Sequence, residues 1–267
     1  MSLLGVYCTT STLAVQAKQL AVFVGCPLIK ISPKQLDSGF YVLTVAETGI
    51  ALQATGKKAQ GPIRVDFTCG TSAHRRRFGG GKGQMIAKAI GLKSAYRPHV
   101  LDVTAGLGED GFVLATLGCQ MTLVERSSIV YSLLKDGIER AALSVDQDLQ
   151  QILSCIQLRQ QEGVNYLQSL QDAVDIIYLD PMFPERNSKA EVNKSMKACQ
   201  QIVGEDQDAG VLFIAALEKV IYRIIVKRPR KAPSLDVQFP DLSLPKPSLV
   251  FEGKSTRYDV YPLKKMP

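Results

Sequence analysis

Two short stretches of the sequence place an acidic residue where an apolar strand meets a turn. The first spans positions 100–111 and contains Asp102 followed by a Gly-Leu-Gly turn at 106–108. The second is Asp-Pro-Met-Phe-Pro at positions 180–184, directly after another apolar run. Glycines allow a sharp bend and a close approach of the backbone to a ligand, and the helix predicted at about 108–117 points free N–H groups at that ligand. The first stretch therefore predicts a cofactor cradle at the carboxyl end of a strand.

Two cofactors fit such a glycine turn. Positions 106–111 match the Gly-x-Gly-x-x-Gly pattern of dinucleotide binding, which is a weak signal by itself. Asp102 lies four residues before Gly106, and this Asp-x-x-x-Gly-x-Gly pattern resembles the first motif of class I S-adenosylmethionine-dependent methyltransferases. A carboxylate at this place can anchor the methionine ammonium of the cofactor, whereas a nicotinamide dinucleotide has no cation there. An ordinary strand–turn–helix of another α/β enzyme is the alternative.

The second stretch resembles the Asn/Asp-Pro-Pro-Tyr/Phe motif of methyltransferases that modify exocyclic amines of bases. Such an amine is a poor nucleophile because its lone pair is delocalised into the ring. The Asp180 carboxylate and the Pro181 carbonyl can accept its two N–H bonds, and Phe183 can stack on an extruded base. We therefore predict these three residues to be catalytic, in a direct in-line displacement that needs no metal. A strand-end turn with a buried phenylalanine is the structural alternative.

The segments around these motifs alternate between strands and helices, which predicts an α/β fold with a largely parallel sheet. The expected class is the Rossmann-like class I methyltransferase fold, with a mixed seven-stranded sheet that closes with an antiparallel hairpin, plus a small N-terminal α+β domain. The predicted domains are 1–65, a basic glycine-rich connector with a helix at 66–97, and the methyltransferase domain at 98–267. Beyond the motif strand, strands are predicted at 64–67, 121–124, 152–158, 174–179, 223–227, 248–252 and 256–261, and helices at 11–23, 84–91 and 209–222.

Glu125 ends the predicted strand at 121–124, about 20 residues past the glycine turn. An acidic residue at this place hydrogen-bonds ribose hydroxyls in nucleotide-binding α/β folds, and both candidate cofactors carry a ribose. Ser127 follows and can cap a helix whose apolar residues form one stripe. We interpret that stripe as core. Positions 163–167 lie where methyltransferases usually contact adenine.

The positive charge of the chain is unevenly spread. The net charge is +7, and no Asp or Glu occurs between Phe67 and Leu101. This stretch contains Arg75, Arg76 and Lys82 beside a glycine run, and Lys227 and Arg228 begin a second basic cluster. Clustered arginine and lysine suit a polyanion such as RNA or DNA, so we predict these five residues to contact substrate RNA. A solvated surface and a flexible interdomain linker are the alternatives.

The composition limits the classes of protein to which the chain can belong. The 267 residues are 46% apolar and 21% charged, which is ordinary for a globular protein. The six cysteines form no Cys-x-x-Cys pair and there are only two histidines, so neither a disulfide framework nor a metal site is expected. No apolar run approaches the roughly 20 residues of a membrane helix, and no secretory signal is recognisable. We therefore expect a cytoplasmic protein without membrane or metal partners.

Taken together, these residues resemble the ribosomal RNA small subunit methyltransferase J family, bacterial enzymes that methylate the N2 amine of one guanine in 16S rRNA. The resemblance runs from about Val65 to Tyr261. It rests on His-Arg-Arg at 74–76, Phe-Gly-Gly-Gly at 78–81, Asp102 with Thr-Ala-Gly-Leu-Gly at 104–108, Asp110, Glu-Arg at 125–126, Tyr-Leu-Asp-Pro-Met-Phe-Pro at 178–184 and Val-Lys-Arg-Pro at 226–229.

The resemblance implies S-adenosylmethionine as cofactor, S-adenosylhomocysteine as product, and 16S rRNA or the small ribosomal subunit as partner. Carried over by position, the family's cofactor contacts fall on Glu109, Asp110, Glu125, Arg126 and Asp180. A further pair, typically two serines in the family, aligns with Val164 and Asn165, so backbone groups or the Asn165 side chain would serve there. Family members often have arginine at the position of Glu109.

Three other functions stay open at this level. A nicotinamide-dependent oxidoreductase would use the same glycine turn, but Asp102 and the Asp180 motif speak against it. A non-catalytic RNA-binding assembly factor would keep the fold without needing Asp180 and Pro181. Among amine methyltransferases, the residues alone do not separate guanine N2 from an amine of another base or nucleic acid. The residues also leave the oligomeric state open.

Overall fold

The structure is a computed structural model, and it describes residues 2–70, 76, 83–92, 96–182, 194–204 and 208–267. Its strands, in chain order, are β1 Leu3–Cys8, β2 Leu28–Ile29, β3 Tyr41–Ala46, β4 Gly49–Ala54, β5 His99–Asp102, β6 Gln120–Glu125, β7 Ile156–Gln160, β8 Val174–Leu179, β9 Val220–Pro229, β10 Leu249–Glu252 and β11 Thr256–Pro262.

The helices within the described ranges are α1 Ala14–Val24, α2 Met85–Ile90, α3 Glu109–Thr116, α4 Ser128–Ala142, α5 Gln147–Ser154, α6 Gly163–Ser169, α7 Lys194–Val203, α8 Ala209–Lys219 and α9 Leu235–Gln238. Short 3-10 turns cover Ser11–Leu13, Pro33–Gln35 and Pro240–Leu242.

Seven strands form one mixed sheet in the order β10-β11-β9-β8-β5-β6-β7. The strands from β5 to β9 pair in parallel, and β11 pairs antiparallel with both β9 and β10. The chain leaves β5 toward β6 and β7 on one side and returns to β8 and β9 on the other. This reversal is the topological switch point at which open α/β sheets bind ligands. The predicted fold class is confirmed, including the closing antiparallel hairpin.

The central strands carry apolar residues at consecutive positions because helices cover both faces of a parallel sheet. Val100 and Leu101 of β5 and Ile176 and Ile177 of β8 are at most 1% exposed. Close packing also explains Gly111, since a Cβ at that position would lie 2.5 Å from Leu123 Cδ2 on β6. The third glycine of the turn motif thus lets α3 approach the sheet.

The chain divides into two compact units, and this sheet belongs to the second, which draws on Thr68–Arg126, Ser144–Pro181 and Asp206–Pro267. The first unit draws on Met1–Phe67, Ser127–Leu143 and Met182–Glu205. It contains a four-stranded sheet in the order β2-β1-β3-β4, in which β1 pairs in parallel with β2 and β3, and β3 and β4 form an antiparallel hairpin. The predicted domain boundaries at 65 and 97 remain a proposal.

Helix α4 packs against β4 and α1 within the first unit. Ser127 caps it as predicted, with its hydroxyl accepting a hydrogen bond from the Val130 N–H at 3.4 Å. Gly137 permits close contact, because a Cβ there would lie 2.5 Å from Val65 Cγ1. The Arg140 guanidinium donates to Asp136 at 2.7 Å and to the carbonyl of Val65. The predicted core stripe therefore anchors a helix that follows β6 in sequence to the N-terminal sheet.

Three predicted elements differ from the structure. The helix expected at 209–222 ends at Lys219, and β9 begins at Val220 instead of at 223. Residues 64–67 lie within the described part of the chain and form no strand there, and an isolated bridge pairs Leu52 with Ile63 just before them. The expected strand at 152–158 begins later, at Ile156, because α5 extends to Ser154. Asp146 caps α5 by accepting the Leu149 N–H at 3.0 Å, so the apolar residues before 155 lie on a helix.

Candidate active site

Four neighbouring strands bring acidic and basic side chains to one edge of the seven-stranded sheet. Strand β5 ends at Asp102 and β6 ends at Glu125. Asp180 directly follows β8, and the pairing of Leu179 with Val226 places Lys227 of β9 beside it. Because parallel strands end at the same edge, residues far apart in sequence share one cleft.

The glycine turn after β5 adopts the backbone that its sequence requires. Gly106 has φ +55 and Gly108 has φ +74, both in the left-handed region that favours glycine. Gly108 is also the N-cap residue of α3. The Glu125 carboxylate accepts a hydrogen bond from the Gly106 N–H at 2.8 Å, so the predicted ribose-binding residue also holds the turn.

Thr104 joins the two motifs. One oxygen of the Asp102 carboxylate accepts hydrogen bonds from the Thr104 N–H at 2.9 Å and from the Thr104 hydroxyl at 3.1 Å. The same hydroxyl accepts a hydrogen bond from the Asp180 N–H at 2.6 Å. A single side chain therefore fixes the turn after β8 to the end of β5. The sequence analysis gave Thr104 no role, although an acidic residue two positions before a threonine is a signal for such a local turn.

A second cluster links α3, β8 and β9. The Lys227 ammonium donates to Asp110 at 2.7 Å and to Asp180 at 2.8 Å. Asp110 also accepts a hydrogen bond from the Tyr178 hydroxyl at 2.7 Å. Burial, followed by the charge of Asp110, raises the pKa of Tyr178 well above its usual value, so this hydroxyl stays a donor.

The electrostatics of the cluster favour a cation. Asp102 is 2% exposed, and burial, reinforced by the charges of Asp180 and Asp110, raises its pKa to about 8. Burial by itself lowers the pKa of Lys227, but Asp180 and Asp110 outweigh it and the net pKa is raised. Two carboxylates thus share one ammonium, and Asp102 lies close enough to both for their charge to raise its pKa. A further positive charge would stabilise the ionised form of Asp102.

These residues fit the predicted cofactor. S-adenosylmethionine carries a cationic ammonium and a ribose, and the edge offers carboxylates for both in Asp102 and Glu125. The turn also leaves room, because a Cβ on Gly106 would have its nearest neighbour, the Thr104 carbonyl oxygen, at 3.9 Å. The carboxylate acceptors and the open backbone at the turn both match a nucleoside with a positively charged tail.

The structure places the other predicted cofactor contacts as follows. Glu109 is exposed in the first turn of α3. The Arg126 guanidinium lies 3.5 Å from an oxygen of Asp208. Their cofactor contacts stay predictions.

The predicted adenine-side pair lies at the start of α6. The Val164 and Asn165 N–H groups both donate to the Glu162 carboxylate, at 3.0 and 2.9 Å. The expectation that these backbone groups serve the cofactor is therefore not carried forward, and the Asn165 side chain stays as the predicted contact. Glu162 is an N-cap that the sequence analysis missed, because glutamate is not among the preferred capping residues.

The basic residues predicted to contact RNA have different surroundings. Arg228 is 1% exposed and donates to Gln238 at 2.7 Å, and burial lowers its pKa to about 10. Lys227 binds the two carboxylates described above. Arg76 forms an ion pair with Asp146, the cap of α5. A buried or ion-paired side chain is a poor phosphate ligand, so Arg76, Lys227 and Arg228 are not carried forward as RNA contacts.

Some predicted site residues lie outside the described residues. These are Phe183 of the second motif and the basic residues Arg75 and Lys82. Of the motif itself, Pro181 is buried and Asp180 is half-buried. Within the described ranges no cluster of three or more metal-ligating side chains occurs, and no helix there has the length and apolarity needed to cross a membrane.

Comparison with known proteins agrees with this geometry. A family model described as "Putative SAM-dependent methyltransferase" matches residues 30–263. The ribosomal RNA small subunit methyltransferase J of Cellvibrio japonicus is 52% identical over 240 residues, which cover 88% of each chain. The protein of the same name from Marinobacter nauticus is 44% identical over 254 residues, covering 94% of this chain and 88% of its own.

A solved structure shares the whole architecture. The crystal structure of a SAM-dependent methyltransferase from Neisseria gonorrhoeae has 33% sequence identity and a TM-score of 0.70. The match covers 98% of this chain and 96% of the other.

Proposed function

This chain belongs to the ribosomal RNA small subunit methyltransferase J family of SAM-dependent methyltransferases, and we propose that it methylates RNA of the small ribosomal subunit. The proposed target group is the exocyclic N2 amine of one guanine in 16S rRNA. The relatives' name supports the RNA substrate, and the Asp-Pro-Met-Phe-Pro motif supports an exocyclic amine.

The observation that carries this proposal is the hydrogen-bonded link from Asp102 through Thr104 to Asp180. It couples the carboxylate suited to the cofactor's ammonium with the carboxylate suited to the substrate's amine. An enzyme that joins two substrates needs such a fixed relation, because holding reactants in position can contribute about 7–11 kcal/mol to lowering the barrier.

When bound, S-adenosylmethionine supplies an electrophilic methyl group, and S-adenosylhomocysteine is the product. The residues proposed to hold it are Asp102 at the ammonium, Glu125 at the ribose and the open backbone at Gly106. Asp110, in the first turn of α3, is proposed as a further cofactor contact.

The chain's own residues prepare the amine. Asp180 and the Pro181 carbonyl accept its two N–H bonds, which favours the pyramidal form whose lone pair can attack. The Asp180 backbone is fixed by Thr104, and the proline restricts the turn, so the two acceptors converge on one point. Phe183 is proposed to stack on the extruded guanine.

The substrate surface is proposed to include Arg75 and Lys82 of the basic glycine-rich segment, whereas Arg76 is left out because it is paired with Asp146. Arginine binds phosphate in a bidentate manner and stacks on bases, so this segment suits an RNA backbone. A protein with this substrate would work in the cytoplasm on the small subunit or on its RNA.

The test is methylation of small-subunit RNA from a strain that lacks the gene, followed by nucleoside mass spectrometry. The wild-type chain is expected to produce N2-methylguanosine at one site. Asp180→Asn keeps the size of the side chain but replaces one acceptor oxygen by a donor, and we expect its turnover to fall by about 100-fold or more while RNA binding persists. Near-normal turnover of Asp180→Asn would defeat the assignment of Asp180, and methylation of a ring atom or a ribose would defeat the amine target.

A further inference from the structure

Lys227 is largely buried and bound to two carboxylates, whereas a lysine that contacts RNA would be exposed to solvent. Its side chain is 19% exposed and its ammonium lies between the carboxylates of Asp110 and Asp180, which are 11% and 24% exposed. A charge withdrawn this far from water is costly unless it is paired and hydrogen-bonded. Both conditions are met here, because the two carboxylates compensate for the burial of the ammonium. This buried pairing lies at the proposed reaction site.

Each of the two acidic residues that bind Lys227 is held by a further hydrogen bond. The Tyr178 hydroxyl donates to the same Asp110 oxygen as Lys227, and the Asp180 N–H donates to Thr104. The lysine therefore connects α3 to the Asp180 carboxylate, while the threonine restrains the Asp180 backbone. A carboxylate restrained at both ends has few orientations in which to meet a substrate.

We propose that Lys227 is a positioning residue for amine capture: it bridges Asp110 and Asp180 and presents the Asp180 carboxylate, in its ionised form, to the substrate's amine. This inference rests on the proposed function. It replaces the RNA contact expected from the basic run at 227–231 by a role inside the reaction site.

The charges around the pair explain why a cation is needed there. Asp102 at the end of β5 and Asp110 on α3 face Asp180, with Tyr178 on β8 and Tyr258, the register partner of Lys227 on β11, as the other titratable groups. A neighbouring negative charge raises the pKa of a carboxyl group, whereas an adjacent ammonium lowers it. Removing Lys227 would take away this ammonium, so Asp180 would take up a proton at a higher pH than in the wild type.

The same pairing assigns the fate of the amine proton. The nitrogen–carbon bond forms as the carbon–sulfur bond breaks with its electron pair staying on sulfur, and the nitrogen then loses one proton. A carboxylate bound to an ammonium is a weak base, so Asp180 acts as a hydrogen-bond acceptor and the proton goes to water.

The kinetic experiment compares three variants of the full chain at saturating cofactor, with RNA concentration and pH varied. Lys227→Met is expected to lower kcat about 10- to 100-fold, to change KM for RNA little, and to move the acid limb of the kcat profile up by about 1–3 pH units. Lys227→Arg keeps the charge and is expected to keep the wild-type acid limb with an intermediate kcat. Lys231→Met removes an exposed basic residue nearby and is expected to leave kcat and the acid limb unchanged.

Other outcomes of the kinetics overturn the proposal. A higher KM for RNA at unchanged kcat in Lys227→Met would make the lysine a phosphate contact. A lower melting temperature with unchanged kcat per folded molecule, and an unmoved acid limb, would make it a structural ion pair.

A second measurement needs no RNA substrate. The carboxyl carbon of Asp180, assigned by its absence in Asp180→Asn, is titrated by NMR in the wild type and in Lys227→Met. The midpoint is expected to rise by about one pH unit or more in the variant, and an unchanged midpoint would overturn the proposal. If the wild type fails to methylate small-subunit RNA, the proposed function fails, while this titration still decides the role of Lys227.

Discussion

The link through Thr104 gives the sharpest prediction. Thr104→Val keeps the shape of the side chain but removes the hydroxyl, and with it the acceptor for the Asp180 N–H and a donor to Asp102. The variant should therefore be less stable, and Asp102 and Asp180 should no longer be held in a fixed position relative to each other.

The expected size follows from the bonds removed. Loss of a partner for a buried donor costs about 1–3 kcal/mol, and a hydrogen bond to a charged group contributes about 1.5–3 kcal/mol. Asp102 keeps its bond from the Thr104 N–H, and the added methyl group offsets part of the loss. We expect about 2–3 kcal/mol less free energy of unfolding, or a melting temperature lower by about 5–10 °C.

The catalytic effect should be separable from the stability effect. A small displacement of a catalytic group can cost about 100-fold in rate, so we expect kcat to fall about 10- to 100-fold at a temperature where the variant is fully folded. Denaturant unfolding and methyl transfer to RNA provide the two readouts.

The matched control is Thr44→Val, which removes a hydroxyl that donates to the Ala51 carbonyl in the N-terminal sheet. It should leave kcat unchanged. A Thr104→Val variant with stability within about 0.5 kcal/mol and kcat within about twofold of wild type would refute the link.

Four further predictions concern the cofactor side and the fold. The pKa of Asp102 is about 8 without a ligand, and a bound ammonium favours the charged form of this residue. Cofactor affinity measured by calorimetry should therefore rise with pH, by up to about tenfold per pH unit, and level off near pH 8. Asp102→Asn should abolish this pH dependence. The same raised pKa, compared with 3.8 in the unfolded chain, contributes stability that is fully present below about pH 4 and is lost as the pH rises through 8, which ligand-free unfolding curves at several pH values will show. Glu125→Gln should weaken cofactor binding about 10-fold or more with a smaller change in kcat, and equal effects on both would contradict a ribose contact. Gly137→Ala places a Cβ 2.5 Å from Val65 Cγ1 and 3.0 Å from its carbonyl oxygen, so we expect a loss of about 1–3 kcal/mol in unfolding free energy, whereas Gly61→Ala, with no described heavy atom within 4 Å, should be neutral.

Much of the second unit follows from local signals in the sequence. The strand predicted at 174–179 has those bounds in the structure, because a short apolar run between turn residues suits a buried parallel strand. Once the strands are placed, the shared edge of the sheet brings Asp102, Glu125 and Asp180 together without further information. The glycine turn was equally predictable, since its two positive φ values require glycine.

The direction of a charged side chain was harder to predict. The basic run at 227–231 suggested an RNA-facing cluster, but successive residues of a strand point to opposite faces. Lys227 therefore reaches Asp180 on one face, while Arg228 is buried on the other and bonds to Gln238. The alternation itself was a usable signal, but the identity of each partner depends on contacts between segments distant in sequence.

The predicted bounds of helices and strands were wrong where a side-chain contact decides between the two. The apolar residues Ile152 and Leu153 suit either element, and the Asp146 cap selects the helix. Likewise Val65 was expected in a strand, but it packs against Gly137 of α4 instead. Such outcomes depend on tertiary packing, which local propensity does not contain.

The most direct test of the account is a crystal structure with S-adenosylhomocysteine bound. We predict the ligand at the carboxyl edge of β5 and β6, in contact with Asp102, Gly106 and Glu125, and with its sulfur facing Asp180. A ligand bound away from the Asp180 turn would contradict the claim that one cleft holds both the methyl donor and the amine.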